Sequence, residues 1–330
     1  MPVPATDTDA AAAPGRLEHF PITFFAATMG LGGLALALRA GFGPASPLFL
    51  AALAATAAAL VAISALYLLK AVRHPRAGAA EWRHPVRLAF FPTVTISVLV
   101  LATAALPVLP GAARIMWIAG MAGQGVLTLA VISGWIGARG FQHGHVSPAW
   151  FIPAVGNVVV PLAGAPLGWT ETSWLFFSAG MVFWIVLLAL VFNRLIFHDP
   201  LPGRLQPTLA ILIAPPAVAY VAWVRLTGGG DAFGHVLLSL GYVFAALVAT
   251  QLPRILRLPF ALSFWALGFP LAALSVASIL HGEVAASPAH RDVGMALAGV
   301  LAALVALLVW RTARAVAAGR ICQPEQEERP

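Results

Sequence analysis

The run from Pro259 to Gly282 sets one phenylalanine, Phe269, between Gly268 and Pro270 in an otherwise apolar stretch. A helix over this run places Phe269 about nine residues, or roughly 14 Å, from its start at ~1.5 Å per residue. That depth is close to the middle of a bilayer core about 30 Å thick. Proline lacks the amide that would bond the Ala266 carbonyl, and glycine loosens the backbone on the other side. A large ring at such a point can close a narrow apolar passage, which stops ions by dewetting. Phe269, Gly268 and Pro270 are therefore a candidate gate. The ordinary alternative is that Phe269 packs between helices, as most of the nineteen phenylalanines must.

Little else is placed to do chemistry. His143 and His145, in Phe-Gln-His-Gly-His-Val-Ser-Pro, are spaced like loop metal ligands, but no third donor stands nearby. His84 and His281 fall at the ends of apolar spans, where an interfacial side chain is the ordinary reading. One cysteine, Cys322, excludes an intrachain disulfide. Zincin, hydrolase, phosphate-loop and dinucleotide signatures are missing, so no enzyme, metal or cofactor is expected. Glu171, Glu283, Asp231 and Asp292 lie near one end of the spans, and Glu18, Glu81 and Asp199 near the other. No carboxylate is left to relay protons across the mid-plane. Passive, downhill permeation is favoured, although backbone carbonyls can bind sodium without any charge.

The elements that position these residues follow from composition. Sixty per cent apolar and nine per cent charged residues exclude an ordinary soluble domain. Ten spans are expected, at 21–40, 48–70, 87–107, 113–136, 149–167, 173–196, 207–226, 232–252, 260–280 and 290–313, the fifth short and interrupted. Interior prolines fall in the odd-numbered ones: Pro92 in the third, Pro153 and Pro161 in the fifth, Pro215 and Pro216 in the seventh, Pro270 in the ninth. A carbonyl freed by proline cannot be satisfied by lipid, so such helices belong against protein or a water-filled cavity. The expected fold is an all-α integral membrane protein, its ten helices forming five hairpins around a central pore lined by the odd members. A plain ten-helix bundle, with prolines that only aid packing, is the alternative. Besides these prolines, the polar groups expected along the pore are Thr23, Thr28, Thr93, Thr95, Ser263 and Asn157. Residues 1–18 and 317–330 are expected to be polar tails around a transmembrane domain at 19–316, and the acidic start argues against a cleaved signal peptide.

The net charge of +7 is unevenly spread. With ten spans both termini share a side; fifteen of the nineteen basic residues fall there, and only Arg39, Arg114, Arg225 and Arg291 on the other. That bias places both termini in the cytoplasm and accounts for the charge without nucleic acid. Arg87, Arg204, Arg254 and Arg257 are candidates for drawing anions to the inner mouth, though topology alone also explains them.

The run around Phe269 resembles the ninth helix of the tellurite-resistance/dicarboxylate transporter family, which includes bacterial TehA and the plant slow anion channels. It preserves the family's Trp-x-x-x-Phe spacing as Trp265 and Phe269. Residues 20–37 are similar to the family's first helix, 84–92 to the start of its third, 147–164 to its fifth and 207–218 to its seventh. The likeness runs in order from about residue 16 to 316. It implies small inorganic or organic anions as the permeating species, Phe269 as a plug in the pore, and a homotrimer with one pore in each protomer. A bacterial-type inner membrane is the expected location. A secondary transporter for dicarboxylate, sulfite or tellurite is the alternative within the family. One departure is Ile22-Thr-Phe-Phe-Ala26, where many relatives have a glycine-containing turn; bulk at Phe24 and Phe25 could narrow the inner mouth. With no cation at mid-membrane, selectivity is expected to be weak and to follow dehydration cost. Bilayer recordings should rank large, poorly hydrated monovalent anions first; a strong preference for a hydrated divalent anion would contradict this.

Overall fold

The computed structural model describes residues 15–137 and 140–323; much of the first tail and half of the second, together with Arg139 and Arg329, lie outside the described residues. Nine helical segments are long and apolar enough to cross a membrane, and a shorter apolar one occupies Pro148–Gly164. They follow the ten expected spans to within a few residues. The α-helices are α1 (Phe25–Phe42), α2 (Pro47–Arg73), α3 (Pro75–Arg83), α4 (Thr93–Ala105), α5 (Pro110–Ile136), α6 (Phe151–Gly164), α7 (Thr170–Phe197), α8 (Ala214–Thr227), α9 (Ala232–Ile255), α10 (Gly268–Val284) and α11 (Pro288–Ala317). No strand occurs among the described residues. Only α3, in the link after the second span, adds to the expected set.

The odd-numbered spans share a construction. Each begins as a 3₁₀ segment and then widens into α-helix: Ile22–Phe24 before α1, Arg87–Phe90 before α4, Pro148–Trp150 before α6, Gly203–Ile213 before α8 and Leu262–Leu267 before α10. The prolines sit largely at these junctions. Pro92 directly precedes α4, Pro153 is third in α6, Pro215 and Pro216 are second and third in α8, and Pro270 is third in α10. This corrects the expectation that they break helix interiors. The first turn of an α-helix has no use for those amides, and the fixed proline φ favours starting a helix. Pro161, inside α6, is the interior case.

Burial separates the two sets. The buried share is 72% in the first span, 83% in the third and 78% in both the seventh and ninth, against 22–33% for α2, α5, α7, α9 and α11. In α6 thirteen of fourteen residues are buried. Exposed side chains of the outer helices are large and apolar, for example Val61, Leu68, Ile115, Leu129, Leu175 and Ile185, as lipid contact requires. Each inner helix packs on the outer helix that follows it, and the inner ones touch in a closed circuit: α1 on α4, α4 on α6, α6 on α8, α8 on α10, and α10 back on α1.

At the arginine-rich end, α3 folds back to anchor the start of this circuit. Glu81 and Lys70, each 2% exposed, pair at 2.7 Å. Glu81 also accepts from the Ile22 amide at 3.1 Å and the Tyr67 hydroxyl at 3.0 Å. Lys70 donates to the Phe20 carbonyl at 2.8 Å. Both charges are thereby paired and hydrogen-bonded, the condition under which burial is tolerated. Removing one partner strands the other: Lys70→Met is expected to cost about 3–5 kcal/mol, read as a fall in the unfolding temperature of the purified protein in detergent. Adding Glu81→Leu should recover much of that loss.

Candidate permeation site

Where the 3₁₀ lead-ins give way to α-helix, the five inner spans surround a cavity of about 40 Å³. Ala26 and Met29 of α1 line it, with Phe90, Thr93 and Ile96 of the third span, Ile152 and Val155 of α6, Ile211 and Ala214 of the seventh span, and Trp265, Ala266, Phe269 and Pro270 of the ninth. Since one water needs about 10–15 Å³ by this kind of measure, the space has the volume of only a few waters and excludes a hydrated anion. Its walls are almost wholly apolar. The hydroxyl among them, on Thr93, is spent on the Phe90 carbonyl.

Phe269, second residue of α10, is 6% exposed. Its neighbourhood is set by the crossing of α1 and α10, which meet backbone to backbone. A β-carbon on Gly268 would lie 3.1 Å from the Gly30 α-carbon; one on Gly30, 3.0 Å from the Trp265 ring; one on Gly33, 2.6 Å from the Ala272 methyl. Trp265 is held from outside the ring of inner helices, its indole N–H donating to Thr312 of α11 at 3.0 Å. The ring of Phe269 thus lines the same cavity as this held tryptophan and lies against the Gly33 face of α1.

Of the residues singled out from the sequence, Phe269, Pro270 and Thr93 line this cavity, and Gly268 adjoins it. The others lie outside its lining. Thr28 bonds the Phe25 carbonyl at 2.7 Å and Ser97 at 2.5 Å, tying α1 to α4. Thr95 donates to Gln124 at 2.6 Å; Gln124 donates to Thr128 and to the Pro153 carbonyl, and Asn157 donates to both of these as well. This network joins α4, α5 and α6 behind the cavity. Beside buried Pro161, the Val160 carbonyl accepts from Trp117 of α5 at 2.9 Å. Thr23 is half-buried, and Pro92, Pro215 and Pro216 are buried. Ser263 has a buried hydroxyl without a hydrogen-bond partner. Arg204, Arg254 and Arg257 stand exposed at the arginine-rich end, where Arg87 is half-buried. Phe25 packs against Tyr67 of α2, and Phe24 stacks on Phe20 at 4.4 Å; neither borders the cavity. His143 stacks on His198 at 4.6 Å, and among the described residues no group of three or more potential ligands is placed to hold a metal.

Sequence reasoning passed over Gly30, Gly33 and Gln124 as site-building residues. The signals were present: small residues three apart on one helix, and one amide side chain in an apolar span.

Buried helices ringed by lipid-facing ones define a multi-pass membrane protein. A family model described as voltage-dependent anion channel matches residues 19–313, and the chain belongs to that family. Similar proteins include an uncharacterized transporter of Methanocaldococcus jannaschii, 30% identical over 230 residues, covering 62% of this chain and 67% of that protein. The S-type anion channel SLAH3 of Arabidopsis thaliana is 29% identical over 255 residues; the match covers 76% of this chain but only 40% of the plant protein. The tellurite resistance protein TehA homolog of Haemophilus influenzae is 27% identical over 210 residues, 62% of this chain and 63% of its own length.

The α1–α10 crossing yields a paired test. Gly33→Ala forces a methyl against Ala272 and is expected to destabilise by about 1–3 kcal/mol. Gly299→Ala, on α11 with nothing within 4 Å, is expected to stabilise by about 0.5–1 kcal/mol through helix propensity alone. Thermal unfolding of both variants in detergent checks the opposite signs.

Proposed function

We propose that this protein is a passive anion channel whose passage follows the axis of the five inner helices and is closed by the ring of Phe269. The observation that carries this reading is that all five inner helices enclose one small apolar cavity with Phe269 in its wall. An apolar constriction of that size blocks ions without any charged gate. Moving one ring changes the conducting width, while the rest of the wall is fixed by packing.

Anion preference in the absence of a mid-membrane cation is supplied by helix direction. Cavity-lining residues fall in the first turns of α1, α4, α6, α8 and α10. A helix start carries up to about half a positive elementary charge, spread here over the lead-in turns, and five converge on one axis. All five inner helices come from one chain, so a protomer can hold a complete passage by itself, which is compatible with the homotrimer that the resemblance implies. Membership of the anion channel family supports the substrate class, and the excess of arginine at one end supports cytoplasmic termini in a bacterial-type inner membrane. A secondary transporter for dicarboxylate, sulfite or tellurite is the rival, since one relative is named a transporter and another for tellurite resistance. Against it, no ionisable side chain among the described residues lines the cavity to couple transport.

Macroscopic current in a chloride gradient, for wild type and Phe269→Ala side by side, tests the proposal. The variant is expected to raise chloride-selective conductance on the order of tenfold or more by removing the constriction. Absence of current in both, with vesicles that still accumulate a dicarboxylate or sulfite, would make the chain a carrier and Phe269 a packing residue.

A further inference from the structure

At the end opposite the arginine-rich one, the same five helices open into a vestibule of about 450 Å³. Arg39 of α1, Arg225 of α8 and Glu283 of α10 line it. Only four basic residues belong to this side of the chain, and two of them meet here, close enough for their charges to repel. Among the described residues neither forms an ion pair; Glu283, exposed, bridges to neither. Arg39 is half-buried and spends Nη1 on the carbonyls of Thr103 and Ala104 at the end of α4. Its Nε and Nη2, the side-on fork of the guanidinium, have no partner among the described residues. Arg225 is exposed and makes no hydrogen bond among them.

The placement runs against helix electrostatics. The inner helices end at Phe42, Ala105, Gly164, Thr227 and Val284, so five carbonyl ends with partial negative charge rim this mouth. Left alone they, and the Glu283 carboxylate, would repel an anion; the two arginines set local positive charge against that field. A fixed guanidinium fork suits planar oxyanions, which it binds through two parallel hydrogen bonds.

We propose that Arg39 and Arg225 form an anion-capture site in this vestibule, selective for small planar oxyanions of the carboxylate or nitrate type, that loads the passage from the side opposite the arginine-rich end. The capture role rests on the channel reading above; the binding does not. Nitrate is the probe. In the Phe269→Ala background, Arg225→Gln and Arg39→Gln should each reduce conductance at low nitrate on the vestibule side by roughly threefold to tenfold, through loss of electrostatic concentration. Saturating nitrate should restore it, and nitrate on the arginine-rich side should be conducted as before. Arg39→Lys, which keeps the charge and loses the fork, should restore chloride conductance more than nitrate conductance. If the background carries no current, the channel reading fails by itself. Binding is then read from the rise in unfolding temperature of the otherwise unaltered protein with nitrate, measured against equal ionic strength of chloride. That rise should fall in Arg225→Gln, whose side chain supports no packing. A nitrate response unchanged in Arg225→Gln and Arg39→Gln, by either readout, overturns the proposal.

Discussion

A ring of five helices closes only where its first and last members meet, and here that seam is the contact of α1 with α10. These helices lie more than two hundred residues apart in the chain, and they touch through glycine. Gly30 faces Gly268 and the Trp265 ring, and Gly33 faces Ala272. In lipid there is no hydrophobic drive to bring two apolar helices together, so close van der Waals packing of small residues must supply it. The other inner contacts join helices that are neighbours in the succession of hairpins; the seam alone joins its two ends. It also fixes the residue that borders the cavity, since Phe269 lies between the two glycine contacts.

The second constraint is backbone polarity. Buried helices surrounded by other helices still have to satisfy every amide and carbonyl internally. Junction prolines meet this by sitting where an amide would have no helical partner. Polar side chains deal with other groups: Gln124 and Asn157 both serve the Pro153 carbonyl, and Trp117 serves that of Val160. The polar residues of the inner helices therefore act largely as fasteners between neighbours, leaving a dry axis.

The fold was readable in the sequence because lipid and protein interiors demand different residues. Runs of Leu, Ala and Val marked the outer helices, and Pro92, Pro153, Pro215 and Pro270 marked the inner ones. The mechanical meaning of those prolines was less legible, because a proline at a helix start and one that breaks a helix look alike until the α-register is known. Phe269 could be singled out by its depth and its flanking glycine and proline. Thr28, Thr95 and Asn157 are polar in an apolar span, a property shared by cavity-lining groups and interhelical fasteners. The Lys70–Glu81 pair and the vestibule arginines escaped notice because each depends on segments brought together in space. Arg39 and Arg225 stand 186 positions apart in the chain, and nothing in the local sequence of either points to the other.

The 3₁₀ lead-in to α10 carries a geometric consequence. Successive side chains turn by about 120° in a 3₁₀ helix and about 100° in an α-helix. Over the six residues Leu262–Leu267 the two windings diverge by about 120° in azimuth and about 3 Å in rise. Wound as α-helix from the same starting point, this segment would swing Phe269 a third of a turn around its own axis and draw it toward the arginine-rich end. The direction in which that ring points is thus written in the pitch of six residues that precede it.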